Sequence, residues 1–569
     1  MLIGCAASPG ATETHAAPVA TTTASASAAP KRAPVVVALV VDQLAAWEAA
    51  ERFDDLPKNG GFARLRHEGT YVRDMRYAHA VTETAAGHSA LFTGSPPYRS
   101  GIVANELVDP KSRERVSAFL DPTAHVVTAQ GPTDEEGIGL PGLAVDTIAD
   151  VLRKTRPHAL IVSLSIKDRG AVFGGGRHPD ATLWYDTTRD AFVTSSAFSP
   201  EFPSWARFLD TAALQKMREQ PWTLLDPVFV SSHARQPDAQ TGESEVFGFG
   251  KTFPHSFAAS TKPTKAFRAS PRADQAVLEL AAAALDRRNP AEPMLLAVSL
   301  SSFDYVNHFF GPDSWESWDD LLRLDAALAD FFALLDRKVG ADGWSVVLSG
   351  DHGGPPLPEL PISARPWCAP GVHDFWQRPC RNVGRVFPDA LRDTLEKAAR
   401  KALGKSKAGS WVLGVASPYV FYTHQNLAPE KRKKLDAVVT ATLLAQPEID
   451  RVYPPRAPGS TCPPEADESL DALVCRSMSP SLTDALFFVT KQGSFVDTDY
   501  DLGKGMSHGG PYLFDRSVPL FVRAPGRVLA GVTLKDETGF GAYVRSIAAL
   551  LDIDPPAGAS EARAIVNPR

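Results

Sequence analysis

The sequence is poor in cysteine, with five in 569 residues, and none of them stands in a CxxC spacing. That excludes a disulfide-dense miniature scaffold and removes the usual grounds for a thiolate zinc site. No apolar run is long enough to span a bilayer as a helix. No repeat of fixed period is present, which sets aside solenoid and propeller architectures. Basic excess is missing too: the formal net charge is −7, and no Lys/Arg tract offers a footprint for nucleic acid.

What is there is ordinary globular composition, with 44% hydrophobic and 22% charged residues. The first residues read MLIGC, and Leu2-Ile3-Gly4-Cys5 has the pattern of a lipobox, a small residue before a cysteine that takes lipid. The charged and apolar regions that ordinarily precede such a box are missing, which either a start site further upstream or a chance match in a short apolar leader would explain. Residues 6–33 are almost entirely Ala, Thr, Ser and Pro, too poor in large apolar groups to fold, and read as a flexible tether. The expectation is export to the periplasm or the outer surface, with Cys5 as the candidate lipid anchor. The other four cysteines fall into two local pairs in loop-like sequence, Cys368 with Cys380 and Cys462 with Cys475. Two disulfides are expected, against the alternative of buried free thiols.

Val35–Val41 is an unbroken β-branched run, the mark of a parallel strand buried on both faces. Similar runs recur at 159–166, 294–300, 344–348, 485–489 and 519–522, with helical patterns at 318–339, 388–403, 429–444 and 542–551 between several of them. Alternating strands and helices predict an α/β fold with a mostly parallel central sheet flanked by helices. Residues 34–569 read as one large domain carrying cap-like insertions near 190–290, 355–385 and 454–482.

Chemistry gathers where these strands end, and the carboxyl edge of a parallel sheet is where ligands bind. Asp42 closes the first strand, Asp304 and His308 follow MLLAVSLSS, Asp351 and His352 end WSVVLSGDH, and His508 sits in the glycine-rich GKGMSHGG. Each has a plain structural alternative as a helix cap, an i,i+4 pair or a turn. Together, three carboxylates and three imidazoles supply two sets of three ligands, which suits two Zn²⁺ with open positions and is too rich in imidazole for Mg²⁺. Two such ions clamp the attacking and leaving oxygens of a displacement at phosphorus.

The stretch TETAAGHSALF offers a hydroxyl at a predicted helix start. Coordination by Zn²⁺ lowers a hydroxyl pKa, and the helix N-terminus adds donors for a phosphoryl group, so Thr84 is the candidate nucleophile and Thr82 the candidate helix cap. Lys167 and Arg169 follow the strand ALIVSLSI two residues apart; in extended chain they share a face, where they can converge on phosphate oxygens. Their alternative is a solvated turn neutralised by Asp168. Asn105 is a neutral donor for the same purpose.

These residues carry a resemblance. VVDQ at Val40–Gln43, TETAAGHSALFTGSPPYRSGIVAN at 82–105, SIKDRG at 165–170, SFDYVNH at 302–308, GDHGG at 350–354 and SHGGPYLFDRSVPLF at 507–521 resemble the alkaline phosphatase superfamily, and within it the phosphate-irrepressible, PafA-type alkaline phosphatases. The motifs span residues 35 to about 525 in family order. The resemblance implies that Thr84 is the nucleophile, in TAAGH with Ala86 where proline is common. It implies that Asp42, Asp351, His352 and Thr84 hold one zinc and Asp304, His308 and His508 the other, with Asn105, Lys167 and Arg169 contacting phosphate. The expected activity is a two-zinc phosphomonoester hydrolase acting on small phosphate esters through a phosphothreonine. The alternatives are a phosphodiesterase or nucleotide pyrophosphatase of the same superfamily and, from another class, a cell-surface phospho-ligand binding protein without turnover. A sulfatase would need an oxidised Cys or Ser in a CxPxR-like context where Thr84 stands.

Overall fold

The computed structural model describes residues 33–567, apart from 382, 408, 424–426, 458 and 498–500. The lipobox with Cys5 and the tether up to residue 32 lie outside the described residues. Residues from Ala33 onward form one compact unit.

Its spine is a sheet whose central five strands are parallel: Trp344–Ser349, Val35–Val41, Met294–Leu300, Leu160–Ser165 and Ala181–Asp186, in that order across the sheet. Side chains alternate along a strand, and both faces are covered. Val35, Val37, Leu39 and Val41 pack under the helices Pro271–Leu285 and Trp315–Val339. Val36, Ala38 and Val40 pack under Thr84–Thr93, Ile148–Thr155, Asp168–Gly175 and Gly541–Leu551. This is why the strands read as continuous apolar runs.

The mostly parallel character expected from the sequence holds for this centre, and both flanks turn antiparallel. Ser517–Arg523, expected as a further strand at 519–522, runs antiparallel to Trp344–Ser349. It meets Thr70–Arg76 with a register shift between Val518 and Leu520. Pro519 sits at that shift, where it has no N–H to give to the ladder.

The strand expected at 485–489 belongs elsewhere. Ala485–Thr490 lies in a second, four-stranded antiparallel sheet with Val412–Ala416, Tyr419–Tyr422 and Ile449–Tyr453. One face of that sheet is covered by the helices Pro388–Leu403 and Pro429–Leu444 with their own core. Its other face packs on Ala80, Val81, Ala86, Val103 and Ala104, the segment around Thr84. Burial on both faces makes this antiparallel strand apolar throughout, so its sequence imitates a parallel one. The region between the two later insertions is thus a covering layer over the carboxyl edge and not a continuation of the main sheet.

Both cysteine pairs are joined: Cys368–Cys380 and Cys462–Cys475 are disulfides with Cα–Cα distances of 5.3 and 5.6 Å. Among the described residues no helix is long and apolar enough to cross a membrane.

Candidate active site

The carboxyl ends of the four central strands bring the expected side chains to one place. Asp42 follows the first strand and donates its N–H to the Leu300 carbonyl at 2.9 Å. Asp304 and His308 lie one turn apart on the helix Ser302–Phe310, whose start is fixed by Asp274: its Oδ1 accepts from the N–H groups of Ser301 and Ser302 at 2.9 and 3.1 Å. Thr84 is the first residue of Thr84–Thr93, a helix pressed against the Asp351 strand end. A side chain at Gly87 would come within 2.1 Å of the Asp351 carbonyl oxygen, so only glycine permits this approach.

Three imidazoles point the same way for the same reason. Nδ1 of His308 lies 2.7 Å from the Met506 carbonyl, Nδ1 of His508 2.7 Å from the Thr82 carbonyl, and Nδ1 of His352 3.0 Å from the Gly353 carbonyl. A carbonyl only accepts, so each Nδ1 carries the proton and each Nε2 offers a lone pair inward. His308 and His508 turn Nε2 to Asp304 Oδ1 at 3.3 and 3.5 Å, and His352 turns Nε2 to Asp42 Oδ1 at 3.5 Å. Asp42 Oδ1 and His352 Nε2 make no hydrogen bond although both residues are fully buried. Convergent, buried, unsatisfied acceptors are what a cation site requires.

Among the described residues, two groups have ligating atoms within 4.8 Å of one another: Asp304, His308 and His508, and Asp42, Asp304 and His352. The first is the set expected from the resemblance. In the second, Asp304 stands where Asp351 was expected. Asp351 lies alongside, Oδ2 3.5 Å from His352 Nε2 and 3.0 Å from His88 Nδ1, while Gln43 N–H donates to its Oδ1 at 3.0 Å.

Lys167 and Arg169 do not lie together in extended chain: Lys167 alone has extended backbone. Lys167 precedes the helix Asp168–Gly175, and Arg169 is in its first turn. Lys167 is buried, its Nζ 2.7 Å from Asp42 Oδ2, 2.6 Å from Asp304 Oδ2 and donating to Thr84 Oγ1 at 3.2 Å. Burial opposes its charge, but Asp304 and Asp42 outweigh this and hold the ammonium charged well into alkaline solution. Arg169 is half-buried beside Asp168, within electrostatic reach of Lys167 and Glu83. Burial, then the neighbouring Asp351 carboxylate, pushes Asp42 upward. Burial works against Asp304 too, yet His308 and Lys167 hold it below its ordinary value. Burial depresses His352 to about 3, so the ring is neutral and able to bind a cation at working pH.

Thr82 is not the helix cap. The N-cap position is Glu83, without a side-chain cap bond, and the Thr82 hydroxyl donates to the Gly510 carbonyl at 2.9 Å. Asn105 flanks Thr84: its Oδ1 accepts from Ala85 N–H at 2.9 Å.

Two supporting residues escaped the sequence reading. His88 bridges the Thr84 carbonyl, the Asp351 carboxylate and Ser299 Oγ, at 2.9, 3.0 and 2.8 Å, and its place four residues after Thr84 was the available signal. Gln43 donates from Nε2 to Asp304 Oδ1 at 2.9 Å and adopts φ +64°, which nothing in VVDQ announces.

Residues 36–367 match the family described as type I phosphodiesterase / nucleotide pyrophosphatase. The chain is 36% identical to the alkaline phosphatase PhoV of Synechococcus elongatus over 58% of its own length and 60% of that protein's. It is 32% identical to the alkaline phosphatase PafA of Elizabethkingia meningoseptica over 57% of its own length and 60% of that protein's. The matched segment thus spans less than two thirds of these curated relatives. A crystal structure of wild-type alkaline phosphatase PafA superposes with a TM-score of 0.78 at 23% identity, covering 95% of this chain and 99% of that one, and so shares the fold. The protein shares the fold of that phosphatase, with carboxylate- and imidazole-rich loops at the carboxyl edge of its central strands. It belongs to the family described as type I phosphodiesterase / nucleotide pyrophosphatase.

Proposed function

We propose that this protein hydrolyses phosphate monoesters of small molecules, releasing inorganic phosphate through a phosphothreonine at Thr84. The observation that carries this reading is Lys167, a buried cation donating to Thr84 Oγ1 between the two carboxylates of the candidate metal groups. Asp304, His308 and His508 would hold one Zn²⁺, and Asp42 and His352, with Asp351 and Thr84 adjacent, the other. Bound there, the ions would supply Lewis acidity that lowers the pKa of the Thr84 hydroxyl and would offset charge on the transferring group.

Thr84 Oγ1 attacks phosphorus in line, the ester oxygen leaves as the alcohol, and water then cleaves the phosphothreonine to restore the hydroxyl. Lys167 orients Oγ1 and, with Arg169 and Asn105, donates to non-bridging oxygens of the phosphoryl group. A monoester dianion profits more from these cations than a diester monoanion does. That favours the monoesterase reading over phosphodiesterase or nucleotide pyrophosphatase activity, which the name of the matching family keeps as the second reading. The paired disulfides support residence in an oxidising compartment, the periplasm or the cell surface. The test is a side-by-side profile of zinc-loaded protein on an aryl phosphate, the corresponding methyl aryl diester and an aryl sulfate. Preference for the diester would move the protein to the second reading, and no turnover of any ester would leave a binding protein.

A further inference from the structure

Around Thr84 the backbone and three neighbouring side chains form a closed arrangement of which the catalytic reading uses Asn105 alone. Asn105 is gripped at two points, one on each side of the nucleophile. Its backbone N–H donates to Glu83 Oε2 at 2.9 Å, and its side-chain Oδ1 accepts from Ala85 N–H at 2.9 Å. Glu83 and Ala85 are the immediate chain neighbours of Thr84, so Asn105 and the nucleophile move as one body.

We propose that Glu83 is a positioning residue for Asn105, fixing the direction in which its side-chain amide meets the phosphoryl group; the proposal rests on the phosphatase reading above. The primary amide is planar, so once Oδ1 is spent on Ala85 the direction of Nδ2 is set by where the Asn105 backbone is held. Glu83 does the holding. Its own carbonyl is committed to the helix, accepting from Gly87 N–H at 2.9 Å, and its carboxylate turns to Asn105. The Ser417 hydroxyl, from the covering sheet, hydrogen-bonds the same carboxylate. Only 7% of Glu83 is exposed, so truncation leaves the Asn105 N–H without an acceptor where water is scarce. A carboxylate beside a phosphate dianion would repel it on direct contact, and none of the metal-binding groups includes Glu83; its effect on the reaction therefore runs through Asn105.

The experiment is a double-mutant cycle on the zinc-loaded full chain, reading kcat/KM for p-nitrophenyl phosphate, with zinc content and melting midpoint recorded for each variant. Glu83→Ala should lower kcat/KM about 10- to 100-fold and no further than Asn105→Ala does, while Glu83→Gln, which keeps a carbonyl acceptor, should stay within about threefold of wild type. In the Asn105→Ala background, Glu83→Ala should cost less than about threefold, since no amide remains to be aimed. Additive losses in the double mutant overturn the proposal, as does Glu83→Ala with wild-type kcat/KM. Should Glu83→Ala fail to fold, Glu83→Asp keeps the charge and withdraws the acceptor by one methylene. A loss there supports positioning, and wild-type activity overturns it.

Affinity for inorganic phosphate, measured calorimetrically on the same zinc-loaded proteins, separates this proposal from the phosphatase reading. Phosphate binding that weakens in Glu83→Ala, in a wild type that hydrolyses no monoester, removes the phosphatase reading and keeps the positioning. Full hydrolysis and unchanged phosphate affinity in Glu83→Ala remove the positioning alone.

Discussion

Two clusters of buried carboxyls and imidazoles lie in this protein, and they dispose of their charge in opposite ways. The first gathers Asp42, Asp304, Asp351, His308, His352 and His508 around the Lys167 ammonium. The second lies under the Gln240–Gly250 segment, where His255 Nε2 meets Glu316 Oε1 at 2.9 Å with Glu243 and Asp238 nearby. There the jacket is aromatic: Trp222, Phe249, Phe253 and Phe310 have ring centroids 5.2, 5.0, 4.6 and 5.2 Å from that of His255. Burial, reinforced by Glu316, pushes Glu243 up to about 9, and burial depresses His255 to about 4, so near neutral pH both are uncharged. Burying acids does not by itself make a cation site. In the first cluster Asp304 and Asp351 stay ionised beside the Lys167 ammonium although burial raises Asp42, and three Nδ1–H groups spent on backbone carbonyls leave Nε2 lone pairs converging. The second discards its protons' worth of charge instead.

The largest expected effect breaks the comparison at the first cluster. Dialysis against a strong chelator should abolish turnover and lower the melting midpoint, because the carboxylates lose their counter-charge, while the second cluster is untouched; zinc should restore both. Thr84→Ala should cost at least about 10³-fold in kcat with most of the zinc retained, since it removes the attacking atom and leaves the carboxylate and imidazole groups. Full activity in metal-free protein would sink the two-zinc reading.

Next comes the cationic part of the same cluster. Charge-assisted hydrogen bonds in a partly desolvated site are worth about 1.5–3 kcal/mol each. Replacing Lys167 and Arg169 by alanine should therefore lower monoester kcat/KM by roughly two to four orders of magnitude, at tenfold per 1.4 kcal/mol. Hydrolysis of the methyl aryl diester should fall much less. Equal losses on both substrates would show that the pair does not set monoester preference.

The third prediction concerns the second cluster and alkaline solution. Glu243 has its folded value, about 9, above its ordinary 4.5. A carboxyl raised in the folded state binds its proton there more tightly than in the unfolded chain. Its stabilising contribution is whole below pH 4.5 and is lost as pH rises toward 9. Asp238 and Asp319 face this cluster with negative charge, Lys251 with positive charge, and Glu316, itself raised by burial, lies beside Glu243, so ionisation adds repulsion. The melting midpoint should fall between pH 6 and 9, and Glu243→Gln, neutral at every pH, should flatten that decline by about 1–3 kcal/mol. An unchanged pH slope in Glu243→Gln would remove the cluster from the account.

Why the sequence disclosed so much of the first cluster and so little of the second follows from how each is built. The first sits at the ends of apolar strand runs, and Val35–Val41 and Met294–Leu300 are matched residue for residue because burial on both faces leaves Ser299 as their one polar residue. Polar residues at such ends stand out. The second is assembled from an irregular segment and the first turn of a helix, with no period to mark it. The misplaced strand at Ala485–Thr490 shows the same logic in reverse, since two-sided burial erases the alternation that would have revealed an antiparallel sheet. Contacts across the chain were the other gap. Gln43 reaches Asp351 over 308 positions, and Lys167 takes its place between Asp42 and Asp304 through a helix start that the pattern SIKDRG did not separate from extended chain.

The smallest expected effect tests the start of the TETAAGH segment, where Thr82 and Thr84 are two residues apart and are proposed to have unlike duties. The Thr82 hydroxyl donates to the Gly510 carbonyl, two residues beyond His508, while its own carbonyl receives His508 Nδ1–H. Thr82→Val keeps shape and backbone and removes only the hydroxyl bond. The imidazole is still held by the carbonyl, so zinc content and kcat should change less than about threefold. The Gly510 carbonyl loses its donor in a buried place, at a cost of about 1–2 kcal/mol, which in a chain of this size shifts the melting midpoint by only a few degrees. A Thr82→Val variant that is stable but inactive would reverse the roles of the two threonines, because the hydroxyl would then be the attacking group and not a strut for the His508 loop.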